Sequence, residues 1–122
     1  MTIQDQRVAA AEILGWRLFP YLELPNETLY APPGFRVHIS SAEPFDNLPN
    51  CPEDHNDAFR LVEALYAEGF EPDINKRQHG WTVTMWKSCN EYAVVTADTL
   101  ALAITQAALR AKGRWVQEGE GE

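Results

Sequence analysis

Trp81-Thr82-Val83-Thr84-Met85-Trp86-Lys87-Ser88-Cys89-Asn90-Glu91-Tyr92-Ala93-Val94-Val95-Thr96-Ala97-Asp98-Thr99-Leu100 is the stretch whose reading decides the fold. Its first six residues alternate in character, and so do Tyr92 to Thr96. Alternation with period two marks strands whose two faces meet different surroundings. Lys87-Ser88-Cys89-Asn90-Glu91 joins the two runs, so the pair reads as a hairpin with a longer loop. Trp81, Val83 and Met85 share one face of the first strand. Trp86 has the opposite parity, so both tryptophans are core only if both faces are covered. Trp81 is expected in the core, with Trp86 open to either role.

Elements flank this hairpin on both sides. Asp98 or Thr99 caps a final helix, Leu100 to Lys112, with Leu100, Ile104, Ala107/Ala108 and Ala111 as its buried stripe and Gly113 as its stop. Upstream, Asp54 is placed as the cap of a second amphipathic helix that ends at Gly69. Glu53, Asp54 and Asp57 put negative charge at its positive end. Phe59, Val62 and Leu65/Tyr66 are read as its core face, and a third sheet segment is placed through Ile74. Gln4 to Leu14 reads as an opening helix, stopped by Gly15. Trp16 to Leu22 suits a strand, but Pro20 demotes it to an edge or a broken one. Pro25 to Asn50 is punctuated by prolines and read as irregular, with a short strand at Phe35 to Ile39.

The expected architecture is α+β: a small antiparallel sheet packed with about three helices, an α/β sandwich. One domain is expected over 1–116, with 117–122 a disordered acidic tail. No apolar run approaches the roughly 20 residues that span a bilayer, so no membrane partner is expected. The N-terminus lacks the basic and long apolar regions of a secretory signal. A cytoplasmic location follows as the expectation. Cys51 and Cys89 form no CxxC and are read as reduced thiols.

The net charge of −8 is unevenly placed. Ser40 to Asn75 holds nine acids against one base, Arg60, and the rest of the chain is balanced. Such a field argues against broad nucleic-acid binding. It suits a basic protein surface, or a helix face that only keeps the protein soluble. Glu43, Asp46, Glu53, Asp54 and Asp57 are the candidates for a partner-binding acidic surface.

No catalytic motif appears. His38, His55 and His79 form no ligand pair on one element, so no metal or other cofactor is expected. No nucleophile elbow, phosphate loop or dinucleotide fingerprint is present. The best ligand-binding candidates are Arg36, His38, Lys76, Arg77, His79, Trp86 and Lys87, on or beside the hairpin. Aromatic faces stack on bases, and Arg or Lys can hold a phosphate. The competing reading makes Trp81 and Trp86 core and Lys76 and Arg77 solvated turn residues.

Several residues together carry a resemblance. Gly15-Trp16 ends the opening helix, and an Asp54-led helix runs to Gly69. The Trp-bearing hairpin then leads into Ala97-Asp98-Thr99-Leu100-Ala101-Leu102-Ala103-Ile104, followed by Ala107-Ala108-Leu109 and Gly113. This order resembles the phage ABA-sandwich domain family, small proteins of phages and prophages. The match lies mostly in the last forty residues, and Tyr21 to Cys51 stands outside it. The resemblance implies helices packed on a sheet and a phage origin, and it implies no reaction.

The resulting functional expectation is a non-enzymatic counter-defence protein in the host bacterial cytosol. It would sequester a small nucleotide-like ligand, or block a host defence protein through its acidic surface. The alternatives are a small nucleotide or nucleoside hydrolase using His38 or His79, and a phage regulatory or morphogenesis adaptor. Trp86 and the Phe35/Phe45/Leu48 loop would suit a homodimer or higher homo-oligomer.

Overall fold

The computed structural model describes residues 1–18, 29–31, 43–44 and 47–115. The opening helix α1 spans Ile3–Ile13. Thr2 and Asp5 form a reciprocal capping box at its start: Thr2 accepts from the Asp5 N–H, and Asp5 accepts from the Thr2 N–H. Gly15, at φ 100°, turns the chain out of α1. Three short strands, β1 (Arg17–Leu18), β2 (Leu29–Ala31) and β3 (Glu43–Pro44), make a minor antiparallel sheet in the order β1-β2-β3. The strand expected from Trp16 to Leu22 holds for Arg17 and Leu18. Its remainder, with Pro20, and the strand expected at Phe35 to Ile39 lie outside the described residues, as does the tail 117–122.

The main unit is α2 (His55–Ala67), β4 (Glu71–Arg77), β5 (Gly80–Ser88), β6 (Glu91–Ala97) and α3 (Leu100–Ala111). The sheet is antiparallel in the order β4-β5-β6. The protein is therefore an α+β sandwich, three helices with a three-stranded antiparallel sheet. Asp54 caps α2 and Thr99 caps α3, each accepting from the N–H three residues on. The segment expected through Ile74 is a full seven-residue strand. The hairpin is tighter than expected: β5 runs on to Ser88, which pairs with Glu91, leaving Cys89 and Asn90 as the turn. A bulge at Lys87 takes up the register change between the Trp86↔Tyr92 and Ser88↔Glu91 pairs.

The core lies between the sheet and α2/α3. Leu61, Leu65, Val83, Met85, Ala101, Ile104, Ala107 and Ala108 are fully buried there, and Ala10 joins them from α1. The Ala-rich side of α3 permits close approach to β5, β6 and α2. The expected face of α2 holds at Leu65 and, partly buried, at Val62, and is corrected at Phe59 and Tyr66. Its buried residues are Ala58, Leu61 and Leu65, while Phe59 is 40% and Tyr66 67% exposed. Side-chain bulk alone sets the face about one position out of phase. The small Ala58 is fully buried in the core on this face.

Gly80 has a structural reason. It opens β5 at φ 135°, and a Cβ there would come 2.4 Å from the Ala97 carbonyl oxygen. Only glycine allows β5 and β6 to close at that end.

Candidate functional site

The pleat of the main sheet sorts its side chains into two sets. Pro72, Ile74, Trp81, Val83, Met85, Ala93 and Val95 fall on the helix side by register. The opposite parity gives Glu71, Asp73 and Arg77 on β4, Thr82, Thr84 and Trp86 on β5, and Tyr92, Val94 and Thr96 on β6. This second face is the open one. Trp86 is 48% exposed, Tyr92 56% and Val94 57%. An antiparallel sheet with one solvated face ordinarily shows polar residues there. Trp86 and Tyr92 are direct cross-strand partners, and Val94 follows Tyr92 on the same face. Glu71 stands opposite Trp86 and Asp73 opposite Thr84, so carboxylates border the aromatic end.

The other end of the open face is polar. Arg77 donates from Nε to Thr82 Oγ1 at 3.1 Å, and the Thr82 and Thr96 hydroxyls lie 2.8 Å apart. Thr82 and Trp86 are four residues apart on β5, about 14 Å along a strand. The basic residues expected to gather with Trp86 are thus dispersed. Lys76 lies on the helix side with its Nζ 5.1 Å from the Trp81 ring centroid. Lys87 sits 5.5 Å over the Phe70 ring and 3.9 Å from Glu91. His79 is exposed in the β4–β5 turn. Arg36 and His38 lie outside the described residues.

The acidic candidates divide as well. Asp54 is occupied as the cap of α2. Asp57 accepts from the Asn50 N–H at 2.8 Å and lies 3.8 Å from Arg60, tying the preceding loop to the helix. Glu53 is exposed beside them. Glu43 belongs to β3 by its backbone, and Asp46 lies outside the described residues. Among the described residues, Glu71 and Asp73 are the acids that register sets beside the aromatic surface. In the sequence they count only toward the bulk charge. Hairpin register is the signal that places them.

A concavity of about 730 Å³ opens beside α1, lined by Met1, Asp5, Val8, Ala9, Glu12, Tyr30 and Arg114. Its carboxylates already have structural partners: Asp5 in the capping box and Glu12 on Arg114 at 2.8 Å. Burial, then the nearby Glu12 charge, raises the Tyr30 phenol above its ordinary value. This cleft therefore offers neither a free carboxylate pair nor a phenolate. Among the described residues no group of His, Cys, Asp and Glu is arranged to hold a metal ion. Cys51 is fully buried, and burial, with the Asp57 charge next, pushes its thiol up to about 12. No described helix is long and apolar enough to cross a membrane.

Fold and face together define a small sandwich whose sheet is covered by helices on one side and carries an aromatic, acid-bordered surface on the other. The chain belongs to the Phage ABA sandwich domain family, whose model matches residues 7–109, so the match is not confined to the last forty residues and takes in 21–51, expected to stand outside it. It is a phage-associated domain. No curated protein and no solved structure matches it.

Proposed function

We propose that this domain is a phage counter-defence protein that acts by binding, and that its open sheet face is the contact surface for a host protein. The carrying observation is the Trp86–Tyr92–Val94 surface, exposed on one side of the sheet and bordered by Glu71 and Asp73. Trp and Tyr are the residues most enriched at the energetic centres of protein interfaces. A cross-strand aromatic pair also stabilises its own hairpin, by roughly 0.2–1 kcal/mol, but that role does not require Val94 beside it. Carboxylates on the border favour a partner whose apolar patch is ringed by Lys or Arg. Capping and loop anchoring already engage Asp54 and Asp57, which favours β4 over the start of α2 as the acidic border of the contact.

The nucleotide-sequestering version finds less support. A phosphate held at Arg77 would lie far from the stacking surface of Trp86, and a phosphate near Trp86 would meet Glu71. The hydrolase version rests on His38, which lies outside the described residues, or on His79, which stands exposed in a turn.

The test is paired capture from host cells with the wild-type chain and a Trp86→Ala/Tyr92→Ala variant, alongside calorimetry against cyclic nucleotides and ADP-ribose derivatives. The expected result is a host protein retained by the wild type and lost by the variant, with no nucleotide bound. A nucleotide that binds, or a partner held equally by both chains, would overturn the reading.

A further inference from the structure

β4 and β6 are the two edges of the main sheet, and they are built differently. β4 contains Pro72, which has no N–H to donate, with the charged Glu71, Asp73, Lys76 and Arg77. Such residues discourage a further strand from adding to an edge. β6 reads Glu91-Tyr92-Ala93-Val94-Val95-Thr96-Ala97, with no proline or lysine and one charge at its first position. Among the described residues it pairs only with β5. Alternate backbone groups of an edge strand point away from that neighbour and remain available for pairing.

β6 is also complementary to itself. An antiparallel pair of β6 strands about a two-fold axis at Val94 sets Val94 opposite its twin and Ala93 opposite the second copy's Val95. It sets Tyr92 opposite the second copy's Thr96 and Glu91 opposite its Ala97. This register preserves parity, so open face joins open face and helix side joins helix side. No like charges oppose each other, and aromatic against β-branched is a favourable cross-strand pair. The same axis brings Asn90 toward the second copy's Asp98, an amide donor toward a carboxylate.

We infer that β6 is the seam of a homodimer, in which two copies share one continuous six-stranded antiparallel sheet. Trp86, Tyr92 and Val94 of both copies then form a single band across the seam. An isologous, two-fold contact of this kind closes on itself and leaves the blunted β4 edges outermost. The seam follows from edge chemistry and register, and stands whether or not the open face binds a foreign protein.

Sedimentation equilibrium on the full chain tests it. The wild type is expected to dimerise, and Val94→Lys, at an exposed position, to weaken the dimer at least tenfold while keeping its circular dichroism spectrum. An equimolar mixture of Val94→Lys and Val94→Glu should recover the dimer, because opposite charges then meet at the axis. Trp86→Ala should leave the dimer in place, since Trp86 is on the face and not on the edge. A monomeric wild type, a dimer indifferent to Val94→Lys, or failure of the mixed charges to restore it would overturn the seam. Loss of the dimer in Trp86→Ala would point to face-to-face packing and overturn it too.

Discussion

Cys51 and Cys89 are the same residue type in opposite surroundings. Cys51 is fully buried, and its Sγ donates to the Asp57 carbonyl at 3.4 Å, whereas Cys89 is exposed in the β5–β6 turn. The folded Cys51 thiol titrates at about 12, against an ordinary value of 9.0. A raised pKa means that the folded chain keeps a proton which the unfolded chain releases. The stability from this group is therefore complete below about pH 9 and is lost as pH rises toward 12. Denaturant titrations across that window should show a falling wild-type stability and a shallower fall in Cys51→Ala. A thiol reagent at neutral pH should label Cys89 and spare Cys51 in the native protein. The open-face site is partly legible at this scale. The parity of Trp86 against Trp81, Val83 and Met85 can be read directly. Tyr92 and Val94 read only as alternation, because their face depends on register, and the bulge at Lys87 breaks simple counting through the turn. The basic cluster fails because proximity in sequence ignores the pleat: Lys76 and Arg77 are neighbours in the chain and lie on opposite faces.

At the scale of elements, caps are the clearest signals. Asp54 and Thr99 each close a helix N-terminus through a short polar side chain, a local interaction that needs no knowledge of the fold. Thr99→Ala should lower stability by about 1 kcal/mol in a denaturant titration. The face of α2 is harder to read, because burial there does not follow residue size: Ala58 is fully buried while Phe59 and Tyr66 are exposed. Leu61→Ala should therefore cost about 2–5 kcal/mol, as the loss of a fully buried side chain does. Phe59→Ala, on the exposed side, should change stability by about 0.5 kcal/mol or less. If Phe59→Ala proved the more costly of the two, α2 would have to pack through the Phe59 face instead. The minor sheet is barely legible, since strands of two or three residues carry no periodicity.

At the scale of the molecule, α2 and α3 cover one side of the main sheet, α1 packs on those two helices, and the other side of the sheet stays open. If the open face is the contact surface, the acidic excess read from the sequence acts through position more than through amount. Glu71 and Asp73 border the aromatic surface, while Asp54 and Asp57 hold the loop and helix together. A charge border of this kind acts chiefly on association rate, so added salt should slow partner capture more than it speeds release. Stopped-flow association at rising ionic strength would show this. Titration calorimetry of the captured host protein, against the wild type and the Trp86→Ala/Tyr92→Ala variant, tests the open face as the binding surface most directly. Loss of an aromatic centre worth about 2 kcal/mol or more predicts an affinity at least ~30-fold weaker. That loss should come with a folded variant whose helices and core are unchanged. A variant that binds as tightly as the wild type would contradict the assignment of the open face.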